Sequence, residues 1–119
     1  MAYAIQPITT TAALTMTRGR HGNTVVVLDS STGRTLTLPA SSGSGDVYTV
    51  YVKTTVSSGS HVIQVANSTD VMNGGVAIST DIAGITMLAA ATSDTITLSG
   101  TTTGGLAGSW VRFTDVVAG

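Results

Sequence analysis

The sequence predicts an all-β fold, a small sandwich or barrel of about eight to ten short antiparallel strands. Three observations carry that prediction. Only 9% of the 119 residues are charged, against about 25% in an ordinary soluble domain, and glutamate is absent. Thr, Ser, Gly and Asn take the place of the missing charge; Thr is β-branched and Ser competes for backbone hydrogen bonds, so both favour strands and turns over helices. Short runs of alternating apolar and hydroxyl residues recur between Gly- and Ser-rich breaks. A chain of this length buries roughly two-thirds of its unfolded surface, enough for one core without metal or disulfide staples.

Residues 1–17 are uncharged and Thr-rich and contain Pro7. They are expected to form an extended arm that docks on a partner, ahead of a single β domain over 18–119; the rival reading makes Ala12 to Met16 an integral strand. "RGRHGN" (Arg18 to Asn23) reads as a turn. "TVVVLD" (Thr24 to Asp29) is a dense β-branched strand. In "RTLTLP" Leu36 and Leu38 face one way and Thr35 and Thr37 the other, and Pro39 ends the strand. "VYTVYVK" turns Tyr48, Val50 and Val52 inward and Thr49, Tyr51 and Lys53 outward. Gly33 to Val52 therefore reads as a hairpin with a loose, inert loop. "HVIQVA", "GVAIS" and "GITMLAA" are further strands. "DTITLSG" points Ile96 and Leu98 inward, and "WVRFTDVV" does the same with Val111 and Phe113.

Several function classes fail on composition. A net charge of −1 gives no footprint for nucleic acid. The N-terminus lacks the basic and apolar regions of a signal peptide, and the most apolar window is broken by Ser79, Thr80, Asp81 and Gly84, so no membrane partner is expected. Without cysteine there is no thiolate nucleophile or Cys-based zinc site, and neither histidine nor any of the six aspartates is paired at a ligand spacing. No G-x-S-x-G elbow, Walker loop or pair of carboxylates among sugar-stacking aromatics is present. The expectation is a non-enzymatic protein with no cofactor and no metal.

The residues left as candidate partner contacts are few. Tyr3, Ile5, Pro7 and Ile8 supply the apolar arm. Arg18, Arg20 and His21 form the one local concentration of positive charge, either a contact for acidic groups or a solvated turn. Trp110 and Arg112 share the outward face of the last strand, and two readings stand for them: an exposed anchor, or burial under a neighbouring loop.

The order "GRTLTLPASSGSGDVYTVYV", "HVIQVANSTDVMNGGVAI", "SDTITLSGTTTGGLAGSWVRFTDVVAG" resembles head decoration (cement) proteins and related virion surface proteins of tailed bacteriophages. The likeness runs from about Arg18 to Gly119 and rests on turns and strands, not catalytic motifs. It implies a β-rich homotrimer made in the host cytoplasm, located on the capsid exterior, with the major capsid protein and itself as partners. Chains of that kind are expected to run on into another strand after "DVVAG". The alternative is a tail-fibre or spike module for a host-surface glycan, which calls for an exposed aromatic cluster; in the sequence the few aromatics are dispersed.

Overall fold

The computed structural model describes residues 6–79, 84–88 and 92–118. It is all-β, with ten strands and one short helix among the described residues: β1 (Ile8–Thr10), β2 (Leu14–Thr15), α1 (Arg18–His21), β3 (Thr24–Leu28), β4 (Thr35–Thr37), β5 (Val47–Val52), β6 (His61–Gln64), β7 (Gly75–Ser79), β8 (Gly84–Leu88), β9 (Thr95–Leu98) and β10 (Trp110–Thr114). One four-stranded sheet has the order β1-β3-β5-β10, a second has β2-β4-β6-β9, and β7 and β8 pair as a separate hairpin.

The sheet orders reveal how the chain runs. Up to β6, consecutive strands go to opposite sheets, so the chain winds as a coil that lays one strand on each sheet per turn. Within each sheet the successive turns are parallel: β1 with β3, β3 with β5, β2 with β4, β4 with β6. Parallel neighbours need a long crossover, and here each crossover passes through the opposite sheet. β9 and β10 then run antiparallel to β6 and β5 and complete the two sheets.

Register stacks like on like. In the first sheet Ile8, Val26, Val50 and Val111 form one aliphatic ladder across four strands. In the second, Leu14, Leu36, Ile63 and Ile96 form another. The middle members Val26, Val50, Leu36 and Ile63 are fully buried, and the end members are half-buried. Met16, Leu28, Leu38, Tyr48, Val52 and Leu98 complete the core between the sheets. The inward assignments of Leu36, Leu38, Tyr48, Val50 and Val52 match this core, and Ile96, Val111 and Phe113 pack on it half-buried.

A third line of stacking runs along one corner. Thr32 bridges Ser58 in parallel, Gly33 N donates to Ser58 O at 2.7 Å, and Ser57 N donates to Ser31 O at 2.8 Å. Turns approach so closely here that a Cβ on Gly33 would overlap the Ser60 backbone.

Four sequence expectations need correction. Gly33 to Val52 is not a hairpin, because β4 and β5 belong to different sheets; the break after Pro39 carries the chain across the core instead of turning it back. The strands of the two main sheets are therefore mostly parallel. Residues 8–16 do not form a separate arm: β1 and β2 pair in register with β3 and β4, Met16 N donates to Thr37 O at 2.8 Å, and Met16 is only 2% exposed. These strands of three and two residues are too short to show an alternation of their own. Finally, Arg18–His21 is a single helical turn, with His21 folded back so that Nδ1 accepts the Thr17 N–H at 2.9 Å.

Candidate functional site

The outer face of the first sheet is built from the residues that alternate with its ladder. One row across it reads Thr9, Val27, Tyr51, Trp110, and the next reads Val25, Thr49, Arg112. Trp110 is 63% exposed and Tyr51 39%. They are direct cross-strand partners, which places their side chains side by side. The Arg112 guanidinium lies 5.6 Å from the Trp110 ring centroid, within cation–π range. Beside it is a shallow groove of about 460 Å³ lined by Pro7, Val25, Val47, Thr49 and Arg112, with Asn23 and Thr24 at one end.

Charge on this face is unbalanced. Among the described residues two ion pairs form, Arg18 with Asp46 and Lys53 with Asp29, and Arg112 has none. Asp46 is further occupied by Asn23 Nδ2 at 3.0 Å and Ser44 Oγ at 2.7 Å. Those hydroxyl and amide donors, more than Arg18, hold its carboxyl below the ordinary value.

A second opening, across β10 on the inner side, is a groove of about 370 Å³ between Leu38–Ser41, Thr69–Asn73 and the segment after β10. Tyr48, Met72 and Phe113 contribute to its walls, and its rim carries the exposed aliphatics Val71, Val116 and Val117.

Its polar border is the loop Ser41–Asp46, which the sequence presents as inert. Buried Asp70 accepts from Ser41 N at 3.0 Å, Ser41 Oγ at 2.7 Å and Asn67 Nδ2 at 3.0 Å. Asp115 accepts from Gly43 N at 2.8 Å, Ser42 N and Ser42 Oγ at 2.9 Å, and Ser44 Oγ at 3.3 Å. Burial works to raise the Asp115 carboxyl, but the Gly43 and Ser42 donors outweigh it and hold it below the ordinary value.

Of the residues singled out from sequence, Pro7 and Arg112 line one groove on the outer face, and Trp110 stands beside Arg112. Ile8 sits behind them, paired with Val26 at the end of the ladder. Arg18 and Arg20 are exposed on α1, and Arg18 is spent on Asp46. His21 is corrected: it is buried, with Nδ1 taken by Thr17 N–H, so it is not a surface contact. Tyr3 and Ile5 lie outside the described residues. The partnership of Tyr51 with Trp110, residues 59 positions apart, depends on strand register and left no local signal.

His61, like His21, is buried and gives its Nδ1 to a backbone N–H, that of Arg34 at 3.1 Å. Neither imidazole reaches solvent as a base. Among the described residues no three His or Asp side chains gather as a metal site, and no helix is long and apolar enough to cross a membrane.

Together the fold and its surfaces define a class: a two-sheet all-β coil with one aromatic outer face and one aliphatic groove. Comparison with protein families, with characterised proteins and with solved structures found no match to the chain.

Proposed function

We propose that this protein is a non-enzymatic structural component of a tailed-phage particle. It docks as a homotrimer on the outer surface of the head, against the major capsid protein, and cements the shell. The observation that carries this reading is the groove rimmed by Val71, Val116 and Val117. Contiguous exposed aliphatics of this kind mark protein contact surfaces. The low charge, 9% of residues with a net −1, supports the same reading, since closely packed copies repel one another little.

The test is to add purified protein to heads assembled without it. Expected results are co-sedimentation, a higher disruption temperature of the decorated heads, and a trimer by native mass spectrometry. Substituting Val116 and Val117 with Ser should weaken binding while leaving the melt of the free protein unchanged. Heads that neither bind the protein nor gain stability overturn the proposal.

A second reading, a module for a surface glycan, is favoured by one specific observation. The aromatics that look dispersed in the sequence include a cross-strand pair, Trp110 and Tyr51, on an open face.

A further inference from the structure

We propose that the outer face of the first sheet binds a carboxylate-bearing saccharide, with Arg112 receiving the carboxylate and Trp110 and Tyr51 receiving the sugar rings. The inference rests on the glycan reading and sharpens it to acidic sugars and named residues.

Three features of the face fit that ligand together. The first is an uncommitted cation. Arg18 and Lys53 hold aspartates and Arg34 Nε bonds Ser30 Oγ, whereas Arg20, on α1, and Arg112, on the sheet face, make no ion pair or side-chain hydrogen bond among the described residues. The Arg112 guanidinium already lies over the Trp110 ring, so a carboxylate bound there would meet cation and aromatic together. A guanidinium fork matches a carboxylate in two parallel hydrogen bonds.

The second feature is the aromatic pair. Sugar rings are apolar on their C–H faces and polar at their edges, and Trp and Tyr combine an apolar body with a polar tip in the same way. Trp110 and Tyr51 stand on adjacent strands of a continuous four-stranded ladder, so their spacing is fixed by the backbone. The third is the groove itself. Its volume of about 460 Å³ falls within the range of small-ligand clefts. It continues from Arg112 past the Thr49 hydroxyl, which spends no hydrogen bond within the described protein, toward Asn23 and Thr24. Among the described residues no acid lines it to repel an anion.

Trp110 is the chain's only tryptophan, so intrinsic fluorescence reports directly on this face. The experiment titrates the full chain with oligogalacturonate and with sialyl-oligosaccharides, each beside its neutral methyl ester, and follows Trp110 emission and heat. The expected result is saturable binding of at least one acidic form, about tenfold or more weaker for its ester, as loss of a charge-assisted hydrogen bond requires. Arg112→Gln should abolish the preference for acid over ester, while Trp110→Phe should weaken both. Unchanged melting curves will show that these exposed variants fold.

Equal binding of acid and ester would overturn the role of Arg112 and leave a sugar-binding face standing. No binding of any saccharide overturns both. Trp110 shielded from acrylamide in the free protein, and released on dilution, also overturns the proposal, because a second copy would then occupy the face.

Discussion

His61 shows how much one buried polar residue constrains this fold. It is fully buried in β6, Nδ1 accepts the Arg34 N–H, and Nε2 has no partner among the described residues. Burial, only partly opposed by the Ser30 backbone and reinforced by the Arg34 charge, pushes its pKa below the ordinary 6.5. The unfolded chain takes up this proton near 6.5 and the folded chain only at lower pH. Between those values the unfolded state binds more protons, so stability is complete above about 6.5 and falls as pH drops below it. Thermal melts from pH 8 to 5 should show the loss. His61→Asn keeps an acceptor near the Nδ1 position and should flatten the slope; an equally steep slope in that variant would count against the assignment. Gly100 makes a steric case of the same kind. Its φ is 79°, and a Cβ there would overlap the Val56 carbonyl. Gly100→Ala should therefore cost about 2 kcal/mol or more by denaturant titration, through strain and overlap together.

At the scale of elements, the loop between β4 and β5 is the part whose appearance in sequence misleads most. Ser and Gly there look interchangeable, yet Ser41, Ser42 and Ser44 each donate to a carboxylate on another segment or at the foot of β5. The Asp115 contacts tie the segment after β10 to this loop, and Ser42 bridges Ala118 in the antiparallel sense. Ser42→Ala should cost about 1 kcal/mol, the net value of an ordinary hydrogen bond, instead of being silent. Asp46 and Asp115 both titrate below the ordinary 3.8. The unfolded state takes their protons first as pH falls, so their contribution is present above 3.8 and disappears as pH drops through the folded values. Asp115→Asn should remove part of that acid-dependent loss, measured as the fraction unfolded between pH 4 and 2 on the approximate scale of carboxylate titration. Arg18 is exposed and Asp46 keeps its Ser44 and Asn23 donors without it, so Arg18→Ala should change stability little.

The molecule as a whole is a stack, and position in the stack sets the cost of a change. Leu36→Ala and Ile63→Ala remove fully buried rungs from the middle of a ladder and should each cost about 2–5 kcal/mol. Ile8→Ala and Ile96→Ala, at half-buried ends, should cost clearly less in the same denaturant series. A chain lacking residues 2–17 loses β1, β2 and buried Met16, which uncovers β3, β4 and part of the core. It should melt at a much lower temperature or without cooperativity. A truncated chain with the full-length melting curve would show that the first turn of the coil is dispensable.

The β character, most strand positions and the inward side of β4, β5, β9 and β10 were legible in the sequence. Period-two alternation is a local property of five or six residues, so Leu36 and Leu38, or Tyr48, Val50 and Val52, declare their face without reference to anything distant. The same locality explains why Trp110 and Arg112 were found together and Tyr51 was placed outward. Which strands are neighbours is a different kind of information. Whether Pro39 and the Ser-Gly loop return the chain beside β4 or carry it across the core depends on whether β5 buries more apolar surface next to β4 or next to β3. That comparison sums contacts over the whole stack. Ile8 and Leu14 belong to the fold because Val26 and Leu36 wait beside them, and nothing within "ITT" or "LT" says so. His21 reads as surface charge until the helical turn folds it beneath Thr17. The pairing of Trp110 with Tyr51, and the groove beside Arg112, likewise exist only in register. Sequence alone determined the β character and the faces of the longer alternating strands, because those follow from local alternation. Tertiary structure decided the order of the strands and the surfaces they build, because those follow from long-range burial.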